Sequence, residues 1–341
     1  MKNRKKLLPG LLAWLLMFTM LPMYGMEAKA EESDYIVSPY GNGVEITRYI
    51  GNNGKLIIPS QIGGKEVVRI GDYAFEGCRS LINVEIANSV TSIGEGAFSD
   101  CSSMTSVKIP RGVASIEECT FSGCSSMASV ELPNTITGIG NNAFYGCDGL
   151  KGVKIPDTVA NIGEYAFSGC SGITSLEIPK SVESIGTYAF SGCSSLGSIK
   201  VAGENKDYDS RQNCNAIVET GSSRLIFGCK NTRIPNDVTS IGQGAFLECA
   251  GLMNVKLPDS VVSIEGSAFA DCSRLVSVEF SRSVTSIGES AFCSCHGLKF
   301  VEISSGMTNI EKHTFKYCRN LTKVKIPFGM TSIGCYTFLS F

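Results

Sequence analysis

The sequence has few of the residues that catalysis or nucleic-acid binding would need. It contains two His and one Trp, and its 30 Lys and Arg stand against 32 Asp and Glu. Sequence-independent nucleic-acid binding needs a basic surface that displaces counterions, so none is expected. A hydrolase needs a nucleophile, a base and an orienting group held together. His296 and His313 lie in ordinary repeats without a nucleophile motif, which predicts a non-catalytic protein without a cofactor.

Long apolar runs are absent except near the N-terminus. Four basic residues between positions 2 and 6 precede an apolar run from Leu11 to Leu21, and the small residues Ala28 and Ala30 follow. This order is typical of a secretory signal peptide over residues 1–30, cleaved after Ala30. The alternative is an uncleaved anchor, but the run is short against the roughly 20 residues of a spanning helix. We therefore expect a secreted or cell-surface protein without a membrane span after cleavage.

An internal repeat with a 23-residue period organises the rest of the chain. Phe recurs with this period, and one longer interval separates two series: Phe75, Phe98, Phe121, Phe144, Phe167 and Phe190, then Phe246, Phe269, Phe292, Phe315 and Phe338. Each unit starts at an Ile, as at Ile70, and contains Val-x-Ile-Pro, which alternates apolar with polar residues as a short strand does. One unit cannot bury its own apolar side, so neighbouring units must stack.

The recurring Ile-Gly-x-x-Ala-Phe-x-x-Cys-x-x-Leu-x-x-Val-x-Ile-Pro resembles the BspA-type leucine-rich repeat. The predicted fold is a leucine-rich-repeat solenoid of stacked 23-residue coils, with a parallel β-sheet along one face and mostly short strands and turns. Residues 31–69 are expected to form an N-terminal cap and 70–341 the repeats, with an irregular elongated coil at about 202–236. The eleventh repeat is incomplete, which suggests a truncated product or a missing C-terminal continuation. The resemblance implies a bacterial surface or secreted protein, adhesin-like in some members.

The 15 cysteines suggest a disulfide framework at first. Ten of them occupy one column of the repeat, where their side chains should point the same way, so we predict buried thiols that fill space. A straight column also lacks the tetrahedral convergence that zinc requires. Cys214 and Cys229 depart from the period together, and a bridge between them is a separate hypothesis.

The residue between Val and Ile on each strand should point outward. From Glu85 this row alternates in sign: Glu85, Lys108, Glu131, Lys154, Glu177 and Lys200. Opposite charges on neighbouring strands stabilise a sheet, so the row is interpreted as a register-fixing ladder. The row then continues as Lys200, Arg233 and Lys256. Because three adjacent cations are costly for stability, this run predicts a site for an acidic or sulfated partner.

Two further places are candidates for ligand binding. Phe300 beside Lys299 could anchor a partner or simply fill a local gap. The polar segment around Asp207, Tyr208 and Asp209 is expected to project from the coil, as recognition insertions do, although the calcium-loop pattern is absent. The leading hypothesis is a monomeric binding protein for an extracellular protein or glycan. A scaffold module of a larger surface protein is the alternative, and a secreted hydrolase with paired carboxylates is a third.

Overall fold

The computed structural model describes residues 30–339, so the predicted signal peptide lies outside the described residues except for Ala30. Two short 3-10 helices, Glu32–Asp34 and Arg211–Asn213, accompany 27 strands. In the first half these are β1 (Tyr35–Tyr40), β2 (Gly43–Tyr49), β3 (Lys55–Ile58), β4 (Gln61–Ile62), β5 (Lys65–Ile70), β6 (Asn83–Ile86), β7 (Ser92–Ile93), β8 (Ser106–Lys108), β9 (Ser115–Ile116), β10 (Ser129–Glu131), β11 (Gly138–Ile139), β12 (Asn161–Ile162), β13 (Ser175–Ile178) and β14 (Ser184–Ile185). In the second half they are β15 (Ser198–Val201), β16 (Tyr208–Asp209), β17 (Ala216–Glu219), β18 (Arg224–Gly228), β19 (Ser240–Ile241), β20 (Asn254–Lys256), β21 (Ser263–Ile264), β22 (Ser277–Glu279), β23 (Ser286–Ile287), β24 (Phe300–Glu302), β25 (Asn309–Ile310), β26 (Lys323–Lys325) and β27 (Ser332–Ile333).

The Val-x-Ile strands form one face of the solenoid, here called the sheet face. Strands of consecutive coils pair in parallel, one repeat period apart, as when Glu85 of β6 stands opposite Lys108 of β8. The Val side chains point inward and the Glu and Lys side chains outward, as the alternation predicted. The face consists of β3, β6, β8 and β10, then the pairs β13–β15, β20–β22 and β24–β26. The predicted solenoid of stacked 23-residue coils is thereby confirmed.

The Phe column forms the centre of the core. The six rings from Phe75 to Phe190 are essentially fully buried. Consecutive rings are stacked, with centroids 5.0–5.6 Å apart and planes within 14° of parallel. Tyr49 of β2 stacks on Phe75 at 5.2 Å, so the N-terminal strands continue the same stack over the first coil.

Every coil contains a residue in the left-handed region, whether or not it is glycine. The fourth residue of the unit has a positive φ at Asn142 (54°), Tyr165 (53°) and Tyr188 (62°) alike. This conformation costs a non-glycine residue about 1 kcal/mol. The backbone ladder offsets the cost, because the Asn142 N–H donates to the Glu164 carbonyl of the next coil at 2.9 Å. The stack of coils therefore imposes a turn that sequence propensity alone would place at glycine.

Eight of the ten column cysteines are buried as predicted, Cys78 and Cys249 are half-buried, and all 15 cysteines are free thiols. The thiols are more than fillers, because most of the column donates hydrogen bonds to Phe carbonyls of the preceding coils. Cys147, for example, donates to Phe121 at 3.2 Å and Cys170 to Phe144 at 3.2 Å. Burial raises the pKa of Cys124 to about 12. The bridge between Cys214 and Cys229 is not formed in the structure, and each thiol instead donates to a nearby carbonyl.

Residues 202–236, here called the insertion, lie between two halves of the core. Strands β16, β17 and β18 form an antiparallel meander, and β18 joins β19 in parallel. Ile217 and Phe227 pack into the first apolar cluster, whereas Ala216, Val218 and Leu225 pack into the second. Strands β17 and β18 form a hairpin around 220–223, and the expectation of a projecting segment is wrong. Both faces of this meander are apolar, so burying them inside the stack is the stable arrangement.

Candidate binding surfaces

A broad groove of about 1340 Å³ lies on the sheet face over β3, β6, β8 and β10. Two outward rows line it, a small polar row (Asn83, Ser106, Ser129) and a charged row (Glu85, Lys108, Glu131). Arg111, in the turn after β8, adds a cation at its side. Small side chains in the first row leave the groove open. Sequence reasoning did not identify this site, although the short Ser and Asn side chains beside the charged row are a signal that could have indicated it.

The charge ladder on the sheet face is present in part. Lys108 pairs with Glu131 at 3.3 Å, and Lys200 pairs with Glu177 at 3.4 Å. These side chains are mostly exposed, so each pair contributes little stability. Residues 151–156 form no strand, and Lys154 makes no ion pair within the described residues. The ladder is therefore interrupted at Lys154, where a second groove of about 410 Å³ opens.

The predicted run of three adjacent cations is wrong in its geometry. The free edge of β15 is met by the insertion, where the Ile199 N–H donates to Asn215 and the Val201 N–H to Ser210. Residues 232–235 form no strand beside Lys200. The alignment failed because the insertion places its own residues next to β15.

Two of these three cations are also paired with carboxylates. Lys200 pairs with Glu177, and Lys256 pairs with Glu279 at 3.6 Å. Arg233 is exposed, without an ion pair in the described part of the chain, and it lines a groove of about 320 Å³ together with Lys256. The structure thus brings Arg233 and Lys256 together and leaves Lys200 apart.

The candidate residues of the insertion serve mainly to hold it in place. Tyr208 is only 7% exposed, and its hydroxyl accepts the Ile185 N–H at 3.1 Å, so it is not available to a partner. Burial alone would raise the pKa of Asp209, but hydrogen bonds and the charge of Arg211 outweigh this and hold that pKa below its ordinary value. Asp207 is the exposed member of the three.

Two arginines extend this network from the insertion to the coils. Arg211 pairs with Asp209 at 2.7 Å and with Asp237 at 3.1 Å. Arg224 binds Glu265 through two parallel hydrogen bonds of 2.6 Å. Bidentate pairs of this kind give a fixed orientation. The polar residues of the insertion therefore tie it to the second half of the solenoid.

Lys299 and Phe300 lie on the sheet face at the start of β24, both exposed. Phe300 stands opposite Lys323 of β26, whose ammonium lies 5.7 Å from the ring centroid. Sequence reasoning missed Lys323, although it lies one repeat period after Phe300 in the same outward row.

Each of the two histidines contacts the next coil. His296 Nδ1 lies 2.8 Å from the Tyr317 carbonyl, and the His313 ring stacks on Tyr336 with centroids 5.6 Å apart. Within residues 30–339, no three His, Cys, Asp or Glu side chains are grouped so as to hold a metal ion. The same residues contain no helix long and apolar enough to cross a membrane.

Known proteins similar to this chain are leucine-rich repeat proteins of bacteria. A family model for the BspA type leucine-rich repeat region matches residues 55–171, 115–216 and 226–341. A leucine-rich cell surface protein from Faecalibacterium prausnitzii A2-165 is 32% identical, with 92% of each chain covered and a TM-score of 0.72. A leucine-rich repeat protein from Bacteroides ovatus ATCC 8483 is 29% identical over 90% of each chain, with a TM-score of 0.51.

A third similar structure supports the fold alone. The pneumococcal vaccine antigen PcpA is 20% identical, with a TM-score of 0.74, and the match covers 92% of this chain and 86% of the antigen. No curated protein matches the chain.

Proposed function

Because this chain belongs to the family of BspA-type leucine-rich repeat proteins, we propose that it is a non-catalytic recognition protein of the bacterial surface or medium. It binds an extracellular protein or glycan through the sheet face. The leader at residues 1–30 supports export, and the similar cell surface protein of Faecalibacterium prausnitzii supports a surface location. N-terminal sequencing of the exported protein should find Glu31 first; an intact Met1 would contradict cleavage.

The groove over β3, β6, β8 and β10 is the observation that carries this proposal. Its lining combines outward polar and charged side chains with the exposed Ile57, over a sheet of four paired strands. Stacking of the coils depends on the inward side chains and not on the outward ones. The outward residues of the groove can therefore vary to suit a partner while the fold is kept. A broad groove of about 1340 Å³ accommodates an extended segment or a protein surface rather than a small molecule buried on all sides.

Binding to an array of extracellular-matrix proteins and glycans tests the proposal, with residues 31–341 as the probe at several salt concentrations. The variant Lys108→Glu with Arg111→Glu reverses two charges of the groove. We expect it to lose about tenfold or more in affinity for any partner of the groove, the range of an interface hot spot.

The matched control is Lys200→Glu, which reverses an exposed charge of the same face outside the groove. We expect it to bind as the unaltered protein does. Equal loss in both proteins would show that general surface charge, and not the groove, controls capture. Folding of each variant is checked by circular dichroism.

A further inference from the structure

Charge is unevenly distributed along the chain. Residues 299–341 contain six Lys and Arg against two Glu, a net charge of +4. Residues 31–298 contain 19 Lys and Arg against 29 Asp and Glu, a net charge of −10. The last coils therefore form a basic region on an otherwise acidic protein, and such a region attracts anions over a Debye length of about 8 Å at physiological salt.

Several cations of this region are not neutralised by neighbouring acids. Lys312 pairs with Glu289 at 3.1 Å and Lys325 with Glu302 at 2.5 Å. Lys299, Arg319 and Lys323 are exposed, and none of them makes an ion pair within residues 30–339. The charges of these three residues are therefore not offset by a paired acid.

An aromatic ring lies beside two of these cations, Lys299 and Lys323. Phe300 is 41% exposed on β24 and has the Lys323 ammonium 5.7 Å from its centroid. In the two coils before it, the same position of the strand holds Asn254 and Ser277, so the aromatic side chain is a local exception. The Thr322 N–H donates to the Lys299 carbonyl at 3.0 Å, which places Lys299 beside the chain that leads into Lys323. We call Lys299, Phe300 and Lys323 the basic patch.

We propose that the basic patch binds an anionic polysaccharide whose sugars carry sulfate or carboxylate groups. The flat ring of Phe300 offers a stacking surface for the C–H face of a sugar, and the adjacent cations offer partners for its charged groups. Paired strands lie about 4.8 Å apart, so ring and ammonium groups are close enough to contact one sugar and its neighbours. The inference rests on the proposed recognition function and names a ligand class at a second surface.

Nucleic acid is the less favoured polyanion. A duplex presents phosphates over a long surface and is bound mainly through many cations, whereas most of this protein is acidic. A patch of two cations and one aromatic ring fits a short stretch of charged sugar better.

The test measures binding of residues 31–341 to heparin, to hyaluronan and to duplex DNA, with neutral dextran as the uncharged reference. We expect heparin or hyaluronan to bind at about 0.15 M salt and dextran not to bind. The variant Lys299→Ala with Lys323→Ala should lower the affinity for the anionic glycan at least tenfold, and the log–log salt slope should fall by about one for each lysine. Phe300→Ala should weaken glycan binding by about threefold or more.

The matched control is Lys256→Ala, which removes an exposed lysine of the same face that is paired with Glu279. It should bind the glycan within twofold of the unaltered protein. The proposal is overturned if neither anionic glycan binds, if Lys256→Ala is as damaging as the double variant, or if DNA binds as tightly as the glycan and Phe300→Ala leaves both unchanged. The groove variant Lys108→Glu with Arg111→Glu should keep glycan binding, so failure of the groove and failure of the patch are distinguishable.

Discussion

In the regular coils, every 23-residue unit adds the same apolar layer, whereas the insertion is held by individual polar contacts. A coil such as 139–161 contributes a stacked Phe, a buried Cys and an inward Val to columns that run along the solenoid. The insertion has one ring in the stack, Phe227, which is tilted by 42° to Phe190, and Arg211 and Arg224 secure the rest. The regular coils repeat the same apolar contacts along the solenoid, whereas each polar contact that anchors the insertion occurs once.

The largest expected effect is the loss of a ring from the middle of the stack. Phe144→Ala removes stacking on both Phe121 and Phe167 and leaves a cavity, so we expect the free energy of unfolding to fall by about 3–5 kcal/mol. Phe227→Ala should cost clearly less, because its ring meets only one neighbour of the stack, at a tilt. Urea unfolding followed by circular dichroism measures both. Equal losses would show that the insertion is packed like a regular coil.

The second effect concerns the ion pairs of the insertion. Arg211→Met removes the charged partner of Asp209 and Asp237, and we expect the free energy of unfolding to fall by about 2 kcal/mol. The pKa of Asp209 is lowered in the folded protein, so its contribution is fully present above its unfolded pKa of about 3.9 and is lost as the pH falls below that value.

The pH dependence provides the control for this prediction. Unfolding of the unaltered protein between pH 6 and pH 2 should show a loss of stability in the acid range that is smaller in Arg211→Met. Lys200→Met removes an exposed ion pair instead and should leave the profile unchanged. If both variants have the profile of the unaltered protein, the pair of Arg211 and Asp209 contributes nothing to stability.

A smaller effect on the free energy of unfolding is expected in the cysteine column. Cys147→Ala removes the hydrogen bond to the Phe121 carbonyl and part of the side-chain volume, and we expect a loss of about 1 kcal/mol in the free energy of unfolding. Cys335 is exposed, and Cys335→Ala should change nothing. Alkylation of the folded protein should modify Cys335 first and Cys147 only on unfolding. Rapid alkylation of Cys147 would mean that the coils open locally.

The smallest effect is expected on the sheet face. Lys200→Ala breaks the exposed pair with Glu177, and we expect a change in the free energy of unfolding of no more than about 0.5 kcal/mol, further reduced by salt. A loss as large as that expected for Arg211→Met would show that the charge ladder holds the register of β13 and β15.

Sequence reasoning succeeded for features that every coil shares. The inward Val, the stacked Phe and the outward Glu and Lys follow from local patterns that recur with one period, so an error in a single unit is visible against the others. The left-handed residues at Asn142 and Tyr165 were missed, because the turn is imposed by hydrogen bonds between coils and not by residue preference. The thiol donors were missed for the same reason, since the accepting carbonyl belongs to another coil.

Sequence reasoning was weakest where the period breaks. Aligning Arg233 with the strand row assumed that nothing separates it from Lys200, but residues 210–215 of the insertion lie between them, bonded to β15 and, through the Cys214 carbonyl, to Arg233. Tyr208 looked like a surface residue in a polar segment, but its ring lies in the core with its hydroxyl on the backbone of Ile185. The groove over β6 and β8 was missed because the space above the sheet depends on which rows of outward side chains lie next to each other.

By itself, the sequence determined the solenoid, its 23-residue coils and the inward and outward columns, because a repeated apolar pattern has one arrangement that buries every layer. The tertiary structure decided which outward residues become neighbours. It placed the insertion between two halves of the core and separated Lys200 from Arg233. The physical reason is that register across strands is settled by backbone hydrogen bonds between coils, which a linear pattern does not contain.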